Sequence, residues 1–271
     1  MHVVLYCLLF SAAAASSLNI SFIPSFPLEE VWPSIGYPVL TNWSAFLSLG
    51  LPSAVSLMLD WGSFELMAGI AGQLGAVVLA THGVYMTTCS LFYMVPQSVA
   101  EATAVLGGNF LGNMKPEKAK AIIRLGICYD ACVGFVSGCV LLFVLKPHWG
   151  PLFSSSLDVQ QHIEASLPIM LVYISADSIK CVSSTIVRSI GKPYITIYGN
   201  AFSCLFIMIP LAFHLGIVQG MELWGIWGAM SVAWCFAAGL YLVVIYRIDW
   251  DAQAVEAVNR TTHEMNKHAS L

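Results

Sequence analysis

Seven stretches of this chain are apolar enough and long enough to cross a lipid bilayer. A helix needs about 20 residues to span about 30 Å of hydrocarbon. Hydrophobic residues make up 58% of the sequence and charged residues only 10%, whereas soluble domains contain about 25% charged residues. The sequence therefore predicts an all-α, polytopic transmembrane helical bundle. The predicted spans lie near residues 1–23, 45–71, 78–106, 121–145, 164–187, 194–218 and 223–246.

The first segment allows two interpretations. Its apolar core is followed by small residues at 12–17, which resemble a signal-peptide cleavage region. Its start carries only His2 and no Lys or Arg, which favours a membrane span over a cleaved signal. Residues 24–44 contain four prolines and are typical of a connector outside the membrane.

The basic residues predict how the bundle is oriented. They collect after the third, fifth and seventh segments, as Lys115, Lys118, Lys120, Arg124, Arg188, Lys192, Arg247, Arg260 and Lys267. The loops on the opposite side contain only Lys146. By the positive-inside rule, the basic side faces the cytoplasm. The connector 24–44 and the tail 247–271 are therefore predicted to be cytoplasmic.

Two acidic residues, Asp60 and Glu65, lie inside the second apolar segment. An acid at the bilayer centre costs roughly 2.5–3.5 kcal/mol on insertion scales, so such residues usually face a polar cavity. Five residues on a straight helix correspond to about 7.5 Å of rise and about 140° of rotation. The pair can therefore border a wide cavity but not share one narrow face. The usual roles of such acids are binding cations and relaying protons.

The chain lacks the motifs of enzymes and ATP-driven pumps. It contains no Walker loop, dinucleotide fingerprint, Cys/His zinc spacing or nucleophile elbow. We therefore predict no catalytic residue, no metal site and no cofactor, and the chain is not basic enough to bind nucleic acid. The eight cysteines lie in apolar runs and are predicted to be small packing residues.

Several short motifs recur in a recognisable order. The second segment contains Phe46-Leu-Ser-Leu-Gly-Leu-Pro-Ser and then Leu59-Asp-Trp-Gly-Ser-Phe-Glu65. These are followed by Tyr93-Met-Val-Pro96, Gly108-Asn-Phe-Leu-Gly112, Leu167-Pro-Ile169 with Asp177, Val187-Arg-Ser-Ile-Gly191 and Leu223-Trp-Gly-Ile-Trp-Gly228. In this order and spacing the set resembles the C-terminal half of eukaryotic MATE (multidrug and toxin extrusion) transporters.

That resemblance implies a fold and a domain organisation. The family is built from two six-helix lobes, so residues 45–246 are expected to form the C-terminal lobe and residues 1–23 the remnant of the preceding helix. The N-terminal lobe has no counterpart here, which implies a fragment, a truncated gene model or a half-transporter. The implied partners are the lipid bilayer, organic cation substrates, and a missing N-terminal lobe or a second copy. The implied location is the plasma membrane or a vacuolar or other endomembrane.

The resemblance also implies site residues. Asp60 and Glu65 match the acidic pair of the family's seventh helix, and Asp177 matches an acid of its tenth. The implied function is proton-coupled antiport, in which these acids alternate between a proton and an organic cation; sodium is the alternative coupling ion. Tyr85 and Tyr93 are expected to face the cavity, where aromatic rings attract cations by roughly 0.5–2 kcal/mol.

Two charged residues depart from the family pattern. Lys180 stands where the family usually has a small residue. It is expected either to pair with Asp177, three residues earlier, or to extend toward the cytoplasmic end near Arg188. Glu101 stands where the family is apolar, and we expect it at the membrane interface rather than in the cavity.

Two other functions remain open from the sequence alone. Seven spans with an external N-terminus would also suit a seven-helix membrane receptor. A single lobe could also be a non-transporting remnant, since one lobe cannot enclose a cavity between two. The ordered motifs favour the transporter.

Overall fold

The computed structural model describes the backbone of residues 43–269, with side chains described at Leu47 and over most of the range 50–259. This part of the chain is helical throughout, apart from short turns, which confirms the all-α prediction. The predicted span 1–23 and nearly all of the predicted connector 24–44 lie outside the described residues. The packing reported below is that of the unit Leu47–Leu271.

Eight helices follow one another between residues 43 and 269. They are α1 (Trp43–Leu74), α2 (Ala76–Gly112), α3 (Pro116–Phe153), α4 (Leu157–Ser166), α5 (Pro168–Ser189), α6 (Pro193–Val218), α7 (Glu222–Arg247) and α8 (Trp250–Ala269). Six of them, α1, α2, α3, α5, α6 and α7, are long and apolar enough to cross a membrane. They correspond to the six predicted spans that fall within the described residues. Helix α1 begins at Trp43, so the last two residues assigned to the connector are helical.

Proline and glycine set many of the helix ends. Pro116, Pro168 and Pro193 each occupy the first turn of a helix, where the missing N–H leaves no hydrogen bond unmade. Gly75 lies between α1 and α2 with a φ of 124°. Only glycine adopts that conformation without a steric cost, so it allows the sharp turn between two long spans.

Prolines also disturb two of the spans from within. A wide, π-helical turn at Leu141–Leu145 lies just before Pro147 in α3, and another at Ser203–Met208 lies just before Pro210 in α6. A proline inside a helix cannot donate to the carbonyl four residues earlier and its ring crowds that carbonyl. The local widening accommodates the clash while the helix continues.

The most extensive packing is that of α7 on α5 and α6, and of α2, α3 and α5 on one another. Gly134 and Gly138 on α3 allow its backbone to press on α5: a Cβ placed at Gly138 would lie 2.6 Å from Leu171 Cδ1, and one at Gly134 would overlap Ser178. Glycines one turn apart are a common means of bringing membrane helices together.

Helix α1 is not among these tightly packed pairs. It reaches the others through its side chains instead. The Asn200 amide of α6 donates to Ser56 Oγ of α1 at 3.0 Å, and the Tyr241 hydroxyl of α7 donates to Asn200 Oδ1 at 2.5 Å. This buried polar chain links α1 to α6 and α7.

The predicted tail contains a helix, α8, that docks on the bundle. Asp249 Oδ1 accepts hydrogen bonds from the backbone N–H groups of Asp251 and Ala252, both at 3.1 Å, and so caps the helix start. Trp250 and Ala254 are buried, and the Gln253 amide donates to the carbonyl of Ile190 at 3.2 Å. The start of the tail is therefore anchored rather than free.

Candidate functional site

A small cavity lies among four of the membrane-length helices. Helix α1 lines it with Leu57, Asp60, Trp61 and Phe64, α2 with Met86, Cys89, Ser90 and Tyr93, α5 with Asp177 and Lys180, and α7 with Trp234. On α1 and α2 these positions follow the spacing of a single helix face. The free volume is about 40 Å³, which is room for about three water molecules.

The charged groups in the cavity include an interhelical ion pair. Lys180 Nζ of α5 lies 2.6 Å from Asp60 Oδ1 of α1, and both side chains are largely buried, with 6% and 13% exposed. The same ammonium lies 4.4 Å from the centre of the Trp234 ring, within range of a cation–π contact. With Asp177 also in the lining, two acids and one base face the same space.

The position of Lys180 corrects a prediction. Its ion pair is with Asp60 on another helix, not with Asp177, and its head is buried, not extended toward Arg188. Three residues of helix place Asp177 and Lys180 on one face of α5, as expected. That face is turned toward α1, where the Asp60 carboxylate is nearest to the ammonium.

Aromatic rings form the wall of the cavity. The Trp61 ring lies 6.1 Å from Phe64 and 6.2 Å from Tyr93. Phe64 in turn meets Trp234 edge to face at 6.5 Å between ring centres. Tyr93 is thus in the cavity lining, as its predicted role requires.

Two predicted site residues lie elsewhere. Tyr85 is buried in the core and donates a hydrogen bond to the carbonyl of Ile163 at 2.9 Å, with Ser166 Oγ at 2.8 Å. Glu65 is exposed on α1 and is absent from the cavity lining. The expectation that Glu65 borders the same cavity as Asp60 is therefore not met in this conformation. About 140° of rotation between positions 60 and 65 is the physical reason.

A line of hydrogen bonds leads away from the cavity along α2. The Tyr93 hydroxyl donates to Gln97 Oε1 at 2.5 Å, and the Gln97 amide donates to Glu101 Oε1 at 2.7 Å. The Cys181 thiol of α5 also donates to Gln97 Oε1, at 3.1 Å. Glu101 is exposed and lies outside the cavity lining. Sequence reasoning missed Gln97, although the spacing of four residues between these three polar side chains was a usable signal.

Asp130 is a second residue that sequence reasoning missed. It is fully buried in α3, and among the described residues its carboxyl oxygens have no hydrogen-bond partner. It does not line the cavity. The signal was available, because Asp130 is a single acid in the middle of an apolar segment.

Comparison with known proteins gives consistent matches. The family model described as MatE matches residues 52–214, more than half of the chain. "Multidrug and toxin extrusion protein 2" of Oryctolagus cuniculus is 29% identical over 242 residues, covering 89% of this chain and 39% of that protein. "Protein DETOXIFICATION 16" of Arabidopsis thaliana is 33% identical over 248 residues, covering 89% of this chain and 49% of that protein.

A solved structure agrees in fold. The crystal structure of the eukaryotic MATE transporter AtDTX14 superposes with a TM-score of 0.83 at 23% identity, covering 91% of this chain and 55% of that one. This chain therefore spans about half the length of the curated relatives and the structures that it matches.

Proposed function

Because this chain belongs to the MatE family, we propose that it forms one lobe of a multi-pass membrane transporter that exports organic cations in exchange for protons. The cavity is the proposed exchange site, and Asp60 and Asp177 are its proposed ligands. Transport would proceed by alternating access, in which the site opens to one side of the membrane at a time. The relatives named for multidrug and toxin extrusion support the direction of transport.

The observation that carries this proposal is that two acids and several aromatic rings line the same cavity. Asp60 and Asp177 line a space walled by Trp61, Phe64 and Trp234, within helices long enough to span a membrane. Carboxylates supply the countercharge for a cation, and aromatic faces attract it with little loss of its apolar contacts. The combination suits a cation with an apolar body better than a small hydrated ion.

The proposed exchange of cations for protons follows from the apolar surroundings of the two carboxyl groups. A carboxyl group in an apolar space is favourable either with a proton bound or with a cation beside it. A cation that enters therefore expels the proton, and a returning proton expels the cation. Sodium is the alternative coupling ion, and it would leave the proton balance unchanged.

This chain spans about half of its relatives, so we propose that a second lobe or a second copy closes the path opposite the cavity. Glu65 remains a proposed proton and substrate ligand, because its exposed position on α1 could face that partner. The family match argues against a seven-helix receptor.

A binding experiment on the full 271-residue chain tests the proposed site without requiring the second lobe. The chain is placed in lipid nanodiscs, and tetraphenylphosphonium is added in a weakly buffered solution with a pH dye. We expect saturable binding with release of protons, and Asp177→Asn should abolish both. Asp158→Asn is the matched control, because Asp158 is exposed on α4 and outside the cavity.

The outcomes separate the alternatives. Equal binding by Asp177→Asn and the unmodified chain would reject the cavity as the site. Binding that sodium displaces, with no proton released, would assign the coupling to sodium. Binding without proton-driven uptake into vesicles would identify a non-transporting lobe.

A further inference from the structure

Lys180 already makes both of the contacts that a substrate cation would seek. Its ammonium is paired with Asp60 at 2.6 Å and lies over the Trp234 ring at 4.4 Å. The side chain is 6% exposed, so water does little to weaken these contacts. The remaining volume of about 40 Å³ is too small for an organic cation unless Lys180 or the aromatic wall moves.

The lysine also changes how much charge the cavity can take. The charged side chains of its lining are Asp60 on α1 and Asp177 and Lys180 on α5. Helix α2 contributes the titratable groups of Cys89 and Tyr93, which are neutral near pH 7, and α7 contributes only Trp234. With both acids ionised the cavity therefore carries one excess negative charge. One proton on Asp177 neutralises it, and so does one monovalent cation.

We propose that Lys180 is a tethered cation that limits the site to one unit of exchanged charge and selects monovalent over divalent substrates. This inference rests on the function proposed above. In the exchange step the Asp177 carboxyl loses its proton to water, and the substrate takes the place of the ammonium beside Asp60 or pairs with Asp177. The protein–substrate set is then neutral, as apolar surroundings require. A dication would leave an uncompensated positive charge.

The test compares a monovalent and a divalent probe in nanodiscs that hold the full chain. Tetraphenylphosphonium carries one positive charge, and the bis-pyridinium dication paraquat carries two. The unmodified chain should prefer the first and release one proton for each cation bound. Lys180→Met leaves two acids without a positive partner. We therefore expect this variant to bind paraquat at least about tenfold more tightly than the unmodified chain does, the ratio that corresponds to one charged contact. About two protons should be released for each paraquat.

Lys180→Arg keeps the charge and is the matched control, with the selectivity of the unmodified chain expected. If Lys180→Met fails to fold, Lys180→Gln supplies a second neutral side chain, and the same shift is expected. Unchanged charge selectivity in a folded neutral variant would overturn this inference while leaving the cation site intact. Absence of binding to every variant, including the unmodified chain, would overturn the proposed function as well.

A second feature, independent of the cavity, is a basic groove between α3, α7 and the start of α8. It has a volume of about 810 Å³, and its charged lining residues are Lys120 and Arg124 on α3 and Arg247 at the end of α7. No acid lines it. Asp249 is adjacent in sequence, but its carboxyl caps α8. Among the described residues none of the three cations forms an ion pair.

The groove combines this charge with an apolar wall at one end of the membrane spans. Ile127 and Val243 continue the lining along α3 and α7, and Tyr246 at the rim is 85% exposed. The positive-inside rule places the basic end at the cytoplasmic leaflet, where anionic lipids collect. A phospholipid offers both a phosphate for the cations and acyl chains for the apolar wall.

The geometry points to a binding site for the headgroup of an anionic phospholipid. Each basic residue near a membrane surface contributes about 1 kcal/mol to such binding, which corresponds to about fivefold in affinity. Replacing Lys120, Arg124 and Arg247 together by Gln should therefore remove the preference for phosphatidylglycerol over phosphatidylcholine. The matched control replaces Lys115 and Lys118, which are exposed near the same end of the bundle but outside the groove.

The measurement is the thermal midpoint of the full chain in nanodiscs of either lipid, together with photo-crosslinking from a benzophenone amino acid at position 246. We expect phosphatidylglycerol to raise the midpoint of the unmodified chain and the control, but not of the triple variant, and we expect crosslinks to lipid. Inorganic phosphate in phosphatidylcholine nanodiscs should give no such rise. An equal rise in the triple variant, an equal rise with free phosphate, or crosslinks only to a second copy would reject the lipid site.

Discussion

The cavity and the basic groove differ in the burial and pairing of their positive charges. In the cavity Lys180 is buried and has both a carboxylate and an aromatic ring as partners. In the groove Arg124 and Arg247 are exposed and have no acidic partner in its lining. A buried charge needs a partner within the protein, since desolvation is costly. An exposed charge is stabilised by water and remains available to a partner from outside the protein. The two sites therefore differ in which ligands they can bind.

The two sites therefore also differ in whether the protein must rearrange before a ligand binds. Binding a cation in the cavity requires an internal rearrangement, because the site is already filled by its own ammonium. Binding an anion in the groove requires none, because the three cations are accessible. We therefore expect mutations of the charged cavity residues to change stability and cation binding together, and mutations in the groove to change lipid binding alone.

The largest expected effect comes from leaving the buried lysine without its carboxylate. Asp60→Asn should lower the free energy of unfolding by about 3 to 5 kcal/mol, because it breaks a buried ion pair by removing one of its partners. The measurement is unfolding in mixed detergent–SDS micelles. Asp60→Asn combined with Lys180→Met removes both charges and should recover most of the loss. Equal destabilisation by the single and the double variant would show that the loss does not come from the ammonium left without its carboxylate.

The sequence predicted the spans far better than the partners of their charged residues. The spans follow from composition and length, which the bilayer thickness enforces at every position. The sequence also contains Gly134 and Gly138 four residues apart in an apolar segment, and small residues at that spacing indicate close helix packing. The docked helix α8 was missed, although Trp250, Ala254 and Ala257 follow a helical spacing.

Sequence reasoning found three polar residues of the cavity lining but predicted the wrong partner for Lys180. Asp60, Tyr93 and Asp177 could be predicted from their rarity and the resemblance. The ion pair between Lys180 and Asp60 joins residues 120 positions apart on different helices, and no local spacing records that contact. Glu65 shows the converse limit, because adjacency to Asp60 along the chain does not give it the same face of the helix.

A smaller effect is expected where the cavity joins the hydrogen-bonded line on α2. Tyr93→Phe keeps the ring against Trp61 but removes the hydroxyl that donates to Gln97. The loss should cost about 0.5 to 1.5 kcal/mol of stability, the usual net value of one hydrogen bond. Cation binding should be retained, because the aromatic face remains. Ser98→Ala is the control on the same helix, since its hydroxyl bonds only locally to the carbonyl of Met94. A loss of tetraphenylphosphonium binding in Tyr93→Phe would assign the hydroxyl, and not the ring, to the site.

The smallest effect should come from the groove. In a neutral detergent, Arg124→Gln is expected to change the free energy of unfolding by less than about 0.5 kcal/mol, because surface substitutions away from a paired or buried group rarely do more. Its side chain is exposed and has no acidic partner in the groove, so its removal leaves no other charge unpaired. The same unfolding assay, with Lys115→Gln as the control, checks this expectation. A loss of 1 kcal/mol or more, well above that estimate, would mean that Arg124 supports the fold itself. The contrast between the paired lysine of the cavity and the accessible cations of the groove would then no longer hold.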